Sequence, residues 1–394
     1  MTDADVLIVG GGPAGLSTAL FLLHERPHLR GRVVVLEKAR FPREKPCAGA
    51  IGARADRLLA TIGVTVDVPT VAIDGMSVAT SLGRASHSVP SIGRVIRRLE
   101  FDHRLAEIAV SRGVLLVEEA RAERIDIGSS GVEVSTPQGS FRGQVLVGAD
   151  GVGSVVRRSL GLPFGRYRAQ VLEIDTEHVA GDPDRTTLHF DLSDPSLPGY
   201  FWDFPTLVDG RELYCRGIYE LSGVEGAAHD GVALQDRFAA RLERQGLRLA
   251  DYKQKRFGER GFELHKPFSA PRVLLVGEAA GIDPVTGEGI AQAVEYAHAA
   301  ASYLPARLEA KDLAFSDWSE HLRGSRIGFD LGVRTRIVEL CFGRRRALME
   351  RYLLGTPSLL DAALKAWGGV KVPWTTFARL GLATAALGLR MPFH

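Results

Sequence analysis

Gly10-Gly-Gly-Pro-Ala-Gly15 decides the fold of this chain, because of what flanks it. Asp5 to Val9 reads as a short buried strand and Leu16 to Leu23 as the apolar start of a helix, so the glycines sit in a strand, tight turn, helix frame. Gly10 permits the turn, Gly12 lets backbone approach a pyrophosphate, and Gly15 lets helix and strand pack closely. The helix N-terminus beyond Pro13 and Ala14 offers free amides and a positive dipole to phosphates. A second strand, Val33 to Leu36, ends at Glu37-Lys38, where an acidic side chain accepts from an adenosine ribose 2′-hydroxyl and repels a 2′-phosphate. A dinucleotide without that phosphate, FAD or NAD, is expected.

A later segment, Gly277-Glu-Ala-Ala-Gly281, follows another buried strand, Arg272 to Val276, and precedes a helix from Gly289 to about Leu308. Two glycine segments so far apart suggest a resident flavin and a cofactor domain assembled from separate stretches. Its parts are expected at 1–70, 98–166 and 266–310. Residues 71–97 read as short strands around Gly75, Gly83 and Pro90, and 167–265 as alternating, aromatic-bearing strands of an antiparallel substrate domain with one helix near 231–244. Residues 311–394 read as a helical region. The fold class is therefore α/β, a discontinuous Rossmann-like FAD-binding domain with an inserted antiparallel sheet domain and a helical C-terminus.

Composition narrows the function. Basic and acidic residues nearly balance, 49 against 47, and 45% hydrophobic content describes an ordinary enzyme rather than a nucleic-acid-coating or disordered chain. Cys47, Cys215 and Cys341 lack any CxxC or His-rich spacing, so neither a disulfide framework nor a metal site is expected, and a reducing cytoplasm fits. No secretory leader and no long uncharged apolar run is present. The apolar segment Pro373 to His394, with Trp374 and Phe377, reads either as a helix completing a cavity or as a peripheral contact with the inner membrane surface.

A third motif, Gly148-Ala-Asp-Gly-Val-Gly-Ser-Val-Val-Arg157, places a DG segment between the two glycine segments. In this order the three resemble the flavoprotein monooxygenase superfamily. Lys45-Pro-Cys-Ala-Gly49, Arg98-Leu-Glu-Phe-Asp102 and Tyr200-Phe-Trp-Asp-Phe-Pro205 further resemble the geranylgeranyl reductase family, with its KxCxG-like turn, RxxFD and YxWxFP patterns. Glu278 stands where the family has aspartate, Ala48 where it usually has glycine, and Thr206 where a lysine often follows.

The resemblance implies bound FAD, with Asp150 near the ribityl or pyrophosphate region, Arg98 at the phosphates or ribityl chain, Ala122 at the adenine, and Glu278 at a ribityl hydroxyl. Asp283 to Ile290, including Pro284, Gly287 and Gly289, would lie at the flavin N1 and O2 edge, where helix N-terminal amides stabilise the charge of reduced flavin. Each has a plainer alternative: a surface charge for Arg98, a turn cap for Asp150, a helix cap at Gly289. Ala48 and Cys47 lie in a turn folded against the flavin. Cys47 is a candidate catalytic residue, although a free cysteine is commonly a small buried hydrophobe. Tyr200, Trp202 and Phe204 share one strand face and wall a substrate channel, or form an ordinary aromatic core.

Three activities stay open: reduction of C=C bonds in an isoprenoid or other apolar substrate, hydroxylation or epoxidation of an apolar molecule, and electron transfer without an organic substrate. Halogenation is unlike this chain, which has no lysine between Lys45 and Lys253. No second GxGxxG lies in a strand-turn-helix frame, so electrons are expected from docked NAD(P)H or a separate reductase.

Overall fold

In the computed structural model, which describes residues 2–370 with Val372 and Thr375, two sheets of eight strands share the molecule. The first is built around Thr2–Val9, whose residues Val6 to Ile8 are completely buried. An apolar strand covered on both faces belongs at the centre of a parallel sheet. It pairs in parallel with Val33–Leu36 on one side and Gly139–Gly148 on the other; Leu115–Val117 and Val273–Leu275 extend the sheet at either end. The chain leaves Val9 toward one side and returns on the other, which makes the carboxyl end of this strand a topological switch point and opens a crevice there. The helices Pro13–Glu25 and Ile290–Ala310, drawn from opposite ends of the sequence, pack together over this sheet.

The second sheet runs in the order Lys255–Arg260, Arg168–Thr176, Arg211–Ser222, Gly199–Val208, Thr187–Leu192, Thr70–Thr80, Gly83–Ile96 and Ala50–Gly52. Every pair is antiparallel except Thr187–Leu192 with Thr70–Thr80. The short strands expected in 71–97 are instead one long hairpin, because Gly75 and Pro90 are absorbed into continuous strands joined at the Ser81-Leu82 turn, with a register irregularity between Ile73 and Gly75 opposite Pro90. Gly139–Gly148 is a single strand that pairs with Val132–Thr136 on one side and Thr2–Val9 on the other.

One face of this sheet buries Leu172, Phe201 and Ile218 against Phe238 and Leu242 of the helix Leu234–Glu243. The other face carries Tyr200, Trp202 and Phe204 and is covered by Val338, Phe342, Leu364 and Trp367 from the C-terminal helices Arg326–Phe342 and Pro357–Gly368. The segment Pro373 to His394, expected to complete a cavity or touch a membrane, lies outside the described residues apart from Thr375. Among the described residues no helix is long and apolar enough to cross a membrane, and no cluster of three His, Cys, Asp or Glu side chains has metal-holding geometry.

Candidate functional site

Val9 lies level with Gly148, and Gly10 therefore passes directly beside Ala149. A Cβ at Gly10 would stand 2.3 Å from the Ala149 carbonyl oxygen, at a φ of +111°, so only glycine makes this turn. Around Gly12 the surroundings are open: a Cβ there would meet only the guanidinium Nη2 atoms of Arg98 at 3.7 Å and Arg43 at 3.9 Å. Gly12 is also the N-cap of Pro13–Glu25, and no side chain caps that helix. Free first-turn amides, a positive helix end and two guanidinium groups thus face one space, which is the requirement for a pyrophosphate.

Asp102 explains why arginine and aspartate are paired in the helix Arg98–Ser111. Its fully buried carboxylate takes both Arg98 Nε and Nη2 at 2.6 Å and also Arg43 Nη1 at 3.1 Å. Burial works against the Arg98 charge, but Asp102 outweighs it and holds the guanidinium protonated. Glu37 is buried at the end of its strand; Oε2 accepts from Gly11 N at 2.8 Å and Oε1 from Ala39 N at 3.0 Å. Lys38 is exposed, while Ala122 is buried shortly after Ala120, whose N–H donates to the Glu37 carbonyl at 2.8 Å.

The late glycine segment comes to the same crevice. A Cβ at Gly277 would lie 2.7 Å from that of Ala14, so the two glycine motifs touch. Glu278 beside them has an Oε1 closed off from water without a hydrogen-bond partner, and its Oε2 lies 3.6 Å from where a Gly151 Cβ would stand. Burial raises this carboxyl, with Lys45 and then Arg98 pulling it back. Asp150 follows the strand Gly139–Gly148 in the same crevice wall. Its carboxylate accepts from Ser154 Oγ at 2.5 Å and from Val155 N at 2.6 Å, capping the helix Val155–Ser159.

Beyond Gly281, which packs on Phe262, the loop from Asp283 to Gly289 is held from several directions. The Pro284 carbonyl accepts from the Tyr219 hydroxyl at 3.1 Å and the Thr286 carbonyl from Tyr200. Asp283 accepts from Val285 N at 2.7 Å and from Arg334, and Glu288 pairs with Arg54 at 2.6 Å. The loop ends at Gly289, the N-cap of Ile290–Ala310, again without a side-chain cap.

Between this loop and the second sheet lies a cavity of about 160 Å³. Tyr200, Trp202 and Phe204 line it together with Phe190, Tyr219, Trp367, Cys47, Ala48, Gly287, Gly289 and Ile290. Tyr200 stacks on Tyr219 at 5.0 Å, and Phe190 meets Tyr200 and Phe204 edge-on at 5.3 and 5.1 Å. Burial pushes the Cys47 thiol up, which keeps it protonated; its sulfur accepts from Gly49 N at 3.4 Å.

Flavin adenine dinucleotide fits these residues. The uncapped helix at Gly12 with its two arginines matches the pyrophosphate, buried Glu37 matches the ribose, and the orphaned Glu278 Oε1 matches a hydroxyl-bearing chain between them. Bound there, FAD would supply two-electron redox chemistry. Sequence reasoning passed over Arg43, which sits in a charged loop indistinguishable from a solvated one. It also passed over Glu259, whose only signal is a carboxylate two residues from Phe257 on one strand face.

Residues 3–196 match the FAD binding domain family model. The chain is 29% identical to a menaquinone reductase of Mycobacterium tuberculosis, over 77% of either chain. It is 25% identical to a digeranylgeranylglycerophospholipid reductase of Thermoplasma acidophilum, over 79% of this chain and 80% of the relative. The solved structure of a geranylgeranyl bacteriochlorophyll reductase-like protein from Thermoplasma acidophilum superposes with a TM-score of 0.70 at 19% identity, covering 98% of this chain and 99% of its own. The FAD binding domain match, the two touching glycine motifs and these relatives agree: the chain is an FAD-dependent oxidoreductase, geranylgeranyl reductase-like in sequence and fold.

Proposed function

We propose that this oxidoreductase reduces a C=C bond of an isoprenoid or similarly apolar chain by hydride transfer from reduced flavin. The observation that carries this reading is the aromatic-walled cavity lying directly against the Asp283 to Gly289 loop, since a hydride acceptor must sit within contact distance of the ring. At about 160 Å³ the cavity is below the range for drug-sized ligands, which suits one segment of a long polyprenyl chain. Reduction is also what the names of the mycobacterial and archaeal relatives describe.

The chain's own residues have distinct tasks in this scheme. Arg98 and Arg43 hold the phosphates, Glu37 the ribose, and Glu278 the ribityl chain. The Gly289 and Ile290 amides at a helix N-terminus favour negative charge on the reduced ring. Tyr200, Trp202 and Phe204 orient the alkene and exclude water. Electrons come from an external donor, NAD(P)H or a partner reductase.

The test is anaerobic. The flavoprotein, reduced with dithionite, is mixed without oxygen with a menaquinone carrying an unsaturated side chain and with a geranylgeranyl lipid, and flavin reoxidation and product mass are followed. A gain of two hydrogens in the side chain supports the proposal. Product that forms only when oxygen is admitted, with one oxygen atom added, would replace it with hydroxylation.

A further inference from the structure

We infer that Glu259 is the general acid of this site, delivering the proton that completes alkene saturation from within the substrate cavity. The assignment rests on the alkene-reduction reading above.

Hydride addition to one alkene carbon leaves the other needing a proton, and in an apolar cavity a side chain must bring it. Glu259 lies on the strand Lys255–Arg260 and lines the cavity with Tyr200, Trp202 and Tyr219. The residue is half-buried, yet its Oε2 is closed off from water and has no hydrogen-bond partner. That oxygen lies against the loop where the ring edge is proposed to rest: a Cβ at Gly287 would be 2.6 Å from it. The absence of a side chain at Gly287, at a φ of +67°, leaves the carboxyl room there.

The surroundings decide which form Glu259 takes. An ionised carboxylate with a sealed, unpaired oxygen is costly, whereas the neutral acid is not. Burial drives its pKa well above the usual carboxylate range, and Glu278, Asp283 and Glu173 push the same way against Lys45. Tyr200 and Tyr219, which line the same cavity, donate their hydroxyls to the carbonyls of Thr286 and Pro284 and are themselves pushed up by burial. The Cys47 thiol is pushed up from an already higher value, which makes it a poorer acid at neutral pH than a raised carboxyl.

The step balances. With bound reduced FAD supplying the hydride and left oxidised, one alkene carbon would take that hydride, the π bond would break, and the second carbon would take the Glu259 proton. The resulting carboxylate then recovers a proton from water as product leaves.

Two measurements on the purified holoenzyme test this. Infrared spectroscopy of the oxidised protein at neutral pH should show the C=O stretch of a protonated carboxyl that Glu259→Gln removes. In anaerobic single turnover with a side-chain-unsaturated menaquinone, Glu259→Gln should slow reduction on the order of 10²- to 10⁴-fold with flavin content unchanged. Glu259→Asp should recover part of the rate with a shifted pH profile. Wild-type rates and pH profile in Glu259→Gln, or no change in the carboxyl band, would overturn the assignment while leaving the reductase reading intact. A wild-type enzyme that saturates neither menaquinone nor geranylgeranyl lipid would overturn both.

Discussion

Glu173, which holds the backbone of the cavity-lining Cys47, shows how one buried carboxyl makes stability depend on pH. Its side chain is fully buried; Oε1 accepts from Cys47 N at 3.0 Å, and Lys255 is 3.8 Å away. Burial raises its pKa to about 7, with Lys255 opposing. Between the ordinary glutamate range and about 7 the folded chain therefore holds a proton that the unfolded chain releases, so this group's contribution to stability falls as pH rises through that window and levels off above it. Urea midpoints measured below and above the window should differ in the wild type, and the part of that difference due to this group should vanish in Glu173→Gln. An unchanged difference would place the raised pKa elsewhere. Glu37 bears on cofactor affinity instead: both its oxygens accept backbone amides, and a glutamine turns an NH₂ toward one of them. Glu37→Gln should weaken FAD binding to the apoprotein about 10- to 100-fold, read by flavin fluorescence titration.

At the scale of elements, the aromatic strand depends on a glycine beside it. Trp202 is level with Gly217 on the neighbouring strand, and a Cβ there would lie 2.1 Å from the indole Cζ2. Gly217→Ala should push the ring into the cavity, destabilise the fold by about 1–3 kcal/mol, and lower substrate turnover while leaving flavin content intact. Flavin absorbance after desalting separates that outcome from a general loss of structure. The alternation that puts Tyr200, Trp202 and Phe204 on one face was legible in sequence, because a strand's period is fixed at two. That Phe201, one residue on, faces the helix Leu234–Glu243 was not, since every residue from Gly199 to Thr206 is buried and polarity marks neither face.

On the scale of the molecule, the crevice is assembled from segments far apart in the chain. Val273–Leu275 pairs with Gly139–Gly148, Gly277 meets Ala14, and Ile290–Ala310 packs on Pro13–Glu25. A fragment of residues 1–196, ending where the family match ends, should therefore fail to retain flavin on gel filtration, whereas the full chain should retain it. In the full chain, FAD at 100 times its Kd should add about 2.7 kcal/mol to stability, visible as a rise in Tm.

The strand, turn and helix around Gly10 to Gly15 were set by the sequence alone, because a glycine turn and the apolar runs beside it are local properties. The same holds for the place of the acidic Glu37 after the second strand and for the order of the three flavin motifs. Only the tertiary structure decided the partners of those residues. Arg43 and Arg98 converge because Asp102 holds both; the Asp150 carboxylate is engaged by a helix cap; and Glu259 faces the cavity because its strand is at the edge of a sheet whose neighbours come from far along the chain. Local chemistry is written in residue order, but the burial that moves a pKa is created by chain segments distant in sequence.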